Sequence, residues 1–404
     1  MSELSRRDWL RTGPAALTAA MAPAALARAD GIVRAPQDFR VLGAPVVQAL
    51  SATAVSVAWA VNDTSTGWVE YGETEALGSV ASGDEDGLRP LDARVQRVRL
   101  DGLTPGTRYH YRTVSVPIAF LGAYDIRRGR PYESRTYSFV TPDGGAAGRM
   151  QAAIINDTHE QPETLRRLFT QLAESPGDLL FWNGDMFNDI ATEQQLAEQL
   201  LYPAGMAYAA SRPVCFARGN HDVRGPEARA LGRVLDTPSG QHYYTVRQGP
   251  VAFLVLDTGE DKPDDAPVYA GLGTFDAYRT RQAAWLAEAL QRPEVKGAPF
   301  RVVVVHIPLY GATPVRFHGG ADARAKWHDH LVRGGVDLMV TGHTHRHAWL
   351  PPDATRPFGQ LTGGGPQPDA ATLIRLDADR QQLTARLSRL DGTLISEHVV
   401  TRRA

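Results

Sequence analysis

Ala152-Ala153-Ile154-Ile155-Asn156-Asp157-Thr158-His159 is the stretch on which the fold turns. A short apolar run, the mark of a buried strand, stops at an Asp-x-His pair. The arrangement recurs down the chain. Asp178-Leu179-Leu180-Phe181-Trp182 leads into Gly184-Asp185, and Val214-Cys215-Phe216-Ala217 into Gly219-Asn220-His221-Asp222. Residues 302–305 lead into His306, and 336–340 into Gly342-His343-Thr344-His345. Val251–Leu256 supplies a further run. Between the runs the period changes. Leu165, Leu168, Phe169 and Leu172 recur at helical spacing, and 280–290 and 321–331 carry helical patterns. Near-continuous apolar strands alternating with helices predict an α/β domain whose sheets are covered on both faces. The polar clusters then fall just past the carboxyl ends of five strands, where open α/β sheets bind ligands. Stretches far apart in sequence are thereby expected to meet at one site.

The residue types in these clusters suit a pair of metal cations. Carboxylate, imidazole and amide oxygen are intermediate-to-hard donors that match Zn, Mn, Fe or Ni. No thiolate is needed, and Cys215 is the single cysteine, so no internal disulfide can form. An Asp-x-His pair can place both side chains on one metal. A His-x-His turn can offer one imidazole to each of two, and an aspartate can bridge them. Two cations about 3.5–4 Å apart can bind both oxygens of an in-line phosphoryl displacement and acidify a bridging water. Alone, His306 reads equally well as a packed strand-end histidine. The other motifs make it a ligand.

At 404 residues the chain is too long for one ordinary domain. It is 43% hydrophobic and 22% charged, which fits a globular protein. A formal net charge of −2 predicts no nucleic-acid-binding surface. Over 45–142 the pattern is period two, as in Ala54-Val55-Ser56-Val57-Ala58-Trp59 and Val95-Gln96-Arg97-Val98-Arg99-Leu100. Turn signals such as Asp101-Gly102 and Thr104-Pro105-Gly106 interrupt it, predicting an all-β sandwich. Residues 117–137 read as a loop or an extra hairpin, 30–44 as a linker, and Gly144, Gly145 and Gly148 as the joint to a second domain over 149–404. Short alternating strands return over 372–400.

The N-terminal stretch carries its own expectation. Ser5-Arg6-Arg7-Asp8-Trp9-Leu10-Arg11 precedes an alanine-rich run and an Ala27-Arg28-Ala29 site. A twin arginine, a weakly apolar run and an A-x-A site form an export signal over 1–29. The run is too short, and too interrupted by proline, for a membrane span. The partner implied is the twin-arginine export machinery, which moves folded proteins, and the destination is the periplasm or the medium.

This set of motifs resembles the calcineurin-like metallophosphoesterases from about residue 150 onward. Residues 45–142 resemble a fibronectin type III module through Trp59, Leu103-Thr104-Pro105-Gly106-Thr107-Arg108-Tyr109-His110-Tyr111 and Ser138-Phe139-Val140-Thr141-Pro142. Together they resemble the purple acid phosphatase branch. The resemblance implies a four-layer αββα sandwich behind the β-sandwich, holding two transition-metal ions, Fe, Mn or Zn. Asp157, His159 and His345 would bind the first metal. Asp185 would bridge, and Asn220, His306 and His343 would complete the second. His221 would point at the phosphate and assist the leaving group, with Asp222 holding its ring. Asn220 would also contact substrate. Two departures stand out. Asn188 occupies the position of the branch's iron-binding tyrosine, three residues after the bridging aspartate, and His159 replaces a glycine. The purple charge-transfer colour should therefore be missing.

The function expected is phosphate-ester hydrolysis by attack of a metal-bridging hydroxide on a small-molecule substrate. Two alternatives remain: a phosphodiesterase acting on nucleotides or lipid head groups, and a non-catalytic binding or adhesion protein. Arg224 reads as a phosphate contact, since guanidinium matches phosphate, or as half of a surface ion pair. Asp222 reads alternatively as a turn residue, and Asp189 as a cap or turn residue. Asp257 is expected to support the site from behind the ligands. The loop over 258–272 forms either the substrate rim or plain surface. His318, His328, His330 and His347 read as solvated side chains.

Overall fold

The computed structural model describes residues 38–175, 177–311 and 317–403. The export-signal expectation and residues 30–37 of the expected linker lie outside them. The second domain is layered as its patterning requires. Its first sheet contains the parallel strands Arg149–Ile155, Leu179–Asn183 and Val214–Ala217. Its second contains the parallel strands Val251–Leu256, Phe300–Val305 and Leu338–Thr341, with Gly359–Thr362 alongside. The inner faces share one apolar core, in which Ile154, Phe181 and Cys215 meet Phe253, Val302 and Val304. Phe181 and Phe253 meet across it, their rings tilted by 40° with centroids 4.5 Å apart. Truncating either to alanine should cost about 3–5 kcal/mol.

The outer faces are covered by helices. Pro162–Glu174 turns Leu165, Leu168, Phe169 and Leu172 onto the first sheet, beside Glu193–Leu201. Thr192 caps the latter helix by accepting from the Gln195 amide at 3.1 Å. Phe275–Ala289 and His318–Arg333 cover the second sheet through Leu286, Trp327 and Leu331. These are the αββα layers. The three strands of the tail, Thr372–Asp379, Gln382–Arg389 and Leu394–Thr401, extend the first sheet antiparallel from Arg149–Ile155.

The front β-module is fused to this body more closely than the sequence suggests. Strand Val41–Gln48 begins inside the stretch read as a linker. It pairs with Ala54–Val61 and, through Gln48 opposite Val214, joins the first sheet, so that one sheet has nine strands. Its outermost strand is Val95–Asp101. The opposing sheet is built on Ser65–Gly72 and Arg108–Gly122, and the latter turns back as Asp125–Arg128, an extra hairpin. Trp59 is fully buried between the two sheets, donating to Ser115 Oγ at 2.8 Å. The buried Tyr111 hydroxyl donates to the Ala210 carbonyl at 2.7 Å, tying the module to the second domain. Residues 41–44 read as linker because they lack alternation. Val46 and Val47 face opposite cores, so this strand is buried on both sides.

Among the described residues no helix is long and apolar enough to cross a membrane.

Candidate metal centre

Five loops leave the carboxyl ends of strands from both sheets and converge. Asp157 and His159 follow Arg149–Ile155, Asp185 follows Leu179–Asn183, and Asn220 follows Val214–Ala217. His306 follows Phe300–Val305, and His343 and His345 follow Leu338–Thr341. Each chain must turn sharply as it leaves its strand. Asp157, His159, Asp185, His343 and His345 have φ of 53°, 42°, 52°, 71° and 54°. Left-handed backbone costs a non-glycine residue about 1–2 kcal/mol, and such strain gathers at functional sites. Gly184, with φ of 79°, lets the loops close: a β-carbon there would stand 2.5 Å from His306 Nδ1.

The side chains form two donor sets. Asp157, His159, Asp185 and His345 bring their ligand atoms within 4.8 Å of one another, and so do Asp185, His306 and His343. Asp185 belongs to both. His159 Nε2 stands 3.0 Å from His345 Nε2 and 3.7 Å from Asp185 Oδ2. His306 Nε2 stands 3.0 Å from Asp185 Oδ2 and 3.8 Å from Asp157 Oδ1, without the alignment of a hydrogen bond.

The polar groups behind them fix which nitrogens face inward. His306 Nδ1 lies 2.8 Å from the Asn183 carbonyl, which can only accept, so Nδ1 carries a proton and Nε2 is the nitrogen turned to the carboxylates. His343 Nδ1 lies 2.8 Å from Asn220 Oδ1, so the two residues expected on the second metal stand side by side. That leaves His343 Nε2 buried without a hydrogen-bond partner. Imidazoles with a buried, unpartnered nitrogen at both His306 and His343, beside two buried carboxylates, are a donor set that fits a transition metal.

The charges also require a cation. Burial pushes Asp157 up to about 8, partly offset by His306. Burial opposes charge on His306, yet Asp185 and Asp157 overcome it and hold the imidazole up at about 10. Burial depresses His159 to about 4 and, with His306, His343 to about 3. A proton on His306 thus supplies the positive charge that a bound metal would bring.

His221 stands at the edge of this cluster, its ring 4.8 Å from that of His159. Its Nδ1 donates to the Asn188 carbonyl at 2.6 Å, and its Nε2 accepts from Arg224 Nη1 at 3.0 Å. The orienting role expected of Asp222 therefore belongs to Asn188. Asp222 is fully buried and accepts from the amides of Asp185, Met186, Phe187 and Gly219 at 2.9, 3.1, 3.3 and 2.8 Å. A carboxylate enclosed by backbone donors cannot reach the neighbouring ring. It clamps two ligand-bearing loops together. Burial, then Asp185, pushes it up to about 6 against those hydrogen bonds. Arg224 is likewise committed, to Glu260 through two bonds of 2.8 Å and to Asp261 at 3.2 Å. That is its ion-pair alternative, with Nη1 turned to His221 rather than free for phosphate.

Comparison with known proteins fits this geometry. Residues 150–347 match the Calcineurin-like phosphoesterase family, and residues 45–141 match the Purple acid Phosphatase, N-terminal domain. The chain joins a purple acid phosphatase N-terminal domain to a calcineurin-like phosphoesterase domain. It is 20% identical to purple acid phosphatase 5 of Arabidopsis thaliana over 272 residues, 66% of this chain and 61% of that one. It is 23% identical to purple acid phosphatase 21 of the same plant over 276 residues, 64% of this chain. The chain thus spans 61% and 54% of these relatives' lengths. A purple acid phosphatase from yellow lupin (Lupinus luteus) seeds shares the fold, with a TM-score of 0.66 at 15% identity over 89% of this chain and 74% of that one.

Within this purple acid phosphatase-like fold, other groups around the site carried no sequence signal. Glu160 accepts from Asn188 Nδ2 at 2.9 Å and Gln195 Nε2 at 2.6 Å, steadying the loop whose carbonyl holds His221. Asn188 acts through its backbone, which no side-chain motif reveals. Glu260 and Asp261 were visible only as acids in the loop over 258–272. Asp257 accepts from Arg218 Nε at 2.8 Å and Tyr278 at 3.1 Å, behind the site. His318 pairs with Asp276 and His328 with Tyr310, away from the donor sets.

Proposed function

We propose that the protein is a metal-dependent phosphoric ester hydrolase acting on small-molecule phosphate esters. The reading rests on two donor sets that share Asp185. The family match and the Asp/His cluster support a dinuclear centre, and nitrogen and oxygen donors without thiolate suit Fe, Mn or Zn. Asp157, His159, Asp185 and His345 would hold one ion, and Asp185, Asn220, His306 and His343 the other. Bound there, the metals would supply charge for the transferring phosphoryl group and an acidified water.

The chain's own residues do the rest. The Asn183 carbonyl holds the Nδ1 proton of His306, so Nε2 is the nitrogen it would offer a metal. Asp222 holds the Asp185 and Asn220 loops in register. His221, with the Arg224 Nη1–H at its Nε2, stands where the pair would stabilise a departing alkoxide. Complete donor sets in a crevice speak against a purely adhesive role. The test is a metal-resolved assay of the purified chain on a phosphomonoester and a phosphodiester in parallel. Metal-dependent turnover of either, lost in Asp185→Asn, supports hydrolysis. Turnover undiminished in Asp185→Asn refutes it.

We also infer export through the twin-arginine route, from Arg6-Arg7 and the run that follows. In a host with that machinery, a double lysine replacement at Arg6 and Arg7 should hold the protein in the cytoplasm. Unchanged export would overturn the inference.

A further inference from the structure

A cavity of about 770 Å³ is lined by Arg224, which donates to His221 Nε2. Two of its wall residues link it to the His221 ring, one by contact and one through its neighbour in the chain. Arg224 donates to Nε2 at 3.0 Å, and Asp189 follows Asn188, whose carbonyl accepts from Nδ1. A phosphoryl group seated against the donor sets, with its leaving oxygen at His221, would send the rest of the ester into this space.

The charged walls are largely paired among themselves, while the Tyr269 hydroxyl is buried without a hydrogen-bond partner. Arg218 pairs with Asp257 at 2.7 Å, Arg224 with Glu260, and Lys262 with Asp261 at 2.8 Å. His242 is held down at about 4 by burial and then by Arg218, so it too is neutral near pH 7. Among the described lining residues, Arg229 at the exposed edge is the cation without a carboxylate partner. Paired charges offer a ligand little new Coulomb energy. The unspent surface is apolar. Ala228 and Leu231 are buried in the lining, Tyr269 and Phe275 contribute rings, and Val268 and Leu272 stand 71% and 70% exposed. With Ala228, Leu231, Tyr269 and Phe275 they line the cavity with apolar surface that suits a hydrophobic ligand.

We propose that this cavity is the leaving-group subsite, and that it selects phosphate esters of hydrophobic alcohols. The inference rests on the hydrolytic reading above but is testable apart from it. n-Alkyl phosphates from ethyl to octyl have leaving groups of nearly equal acidity, so their rates report binding rather than bond strength. Each methylene that is fully buried is worth roughly fourfold. Below the micellar concentration, kcat/KM should rise at least about 10-fold from ethyl to octyl phosphate. The double variant Val268→Ser/Leu272→Ser, at exposed positions that should leave Tm unchanged, should cut that ratio to below about 3. A ratio near one in the parent protein, or one untouched by the double variant, overturns the subsite. Calorimetric binding of ethylphosphonate and octylphosphonate to the metal-loaded protein reads the same preference without turnover. If no ester is hydrolysed yet octylphosphonate binds at least about 10-fold tighter, the hydrolytic reading fails and the cavity stands only as a site for hydrophobic phosphate-bearing ligands. Equal affinities remove the subsite whatever the turnover.

Discussion

The two halves of the molecule place left-handed backbone on different residues. In the front β-module such positions fall largely on turn glycines, such as Gly102 and Gly106 with φ of 71° and 64°. At the carboxyl ends of the second domain's strands they fall on Asp157, His159, Asp185, His343 and His345. A glycine turn costs little in the native state and connects strands. A left-handed aspartate or histidine costs about 1–2 kcal/mol and is kept only where its side chain is needed. Among the described residues the front module carries left-handed non-glycine backbone only at Ala49, Leu77 and Asp86, whereas the second domain gathers it where ligands must converge.

The largest effect should come from the shared ligand. Asp185→Asn should remove bound metal and lower turnover on the order of 10³-fold or more, with the fold retained by circular dichroism. Next is the clamp. Asp222→Asn leaves His221 in place but weakens the hold on the Asp185 and Gly219 loops, so metal affinity should fall roughly 10–100-fold in a chelator titration. An effect confined to leaving-group dependence would instead restore an orienting role for Asp222.

Proton linkage gives a third test. His306 is raised to about 10 and Asp157 to about 8, so above pH 6.5 the metal-free native state binds more protons than the unfolded chain. The stabilisation due to protonated His306 is full below its unfolded value and is lost as pH rises toward 10. Stability of the metal-free protein should therefore fall from pH 6.5 to 9, and metal should abolish the slope by replacing the proton. A metal-free stability that rises over this range would contradict the charge assignment.

The smallest effects address the comparison itself. His345 is 43% exposed at its side chain with φ of 54°, so His345→Gly should leave the metal-free protein no less stable, or up to about 1 kcal/mol more so, while weakening metal binding. Gly102→Ala in the front module, with φ of 71° and open space around it, should cost about 1 kcal/mol and leave activity unchanged.

Much of this was legible in the sequence because it rests on local pattern. The apolar runs ending in Asp157, Asp185, Asn220, His306 and His343 specified both the strands and the crevice at their ends. Leu165, Leu168, Phe169 and Leu172 specified a helix face. What sequence could not give was long-range or carried by backbone. Strand Val41–Gln48 joins the first sheet through Gln48 opposite Val214, a pairing that no local period encodes. Asn188 holds His221 by a carbonyl, and Asp222 turns to four amides rather than to the ring beside it in sequence. Adjacency in the chain suggested a partnership that backbone geometry forbids.

Anomalous diffraction from crystals of the metal-loaded protein tests the central claim most directly. The account predicts two peaks about 3.5–4 Å apart, flanking the Asp185 carboxylate. A lone peak, or peaks remote from Asp185, would contradict it.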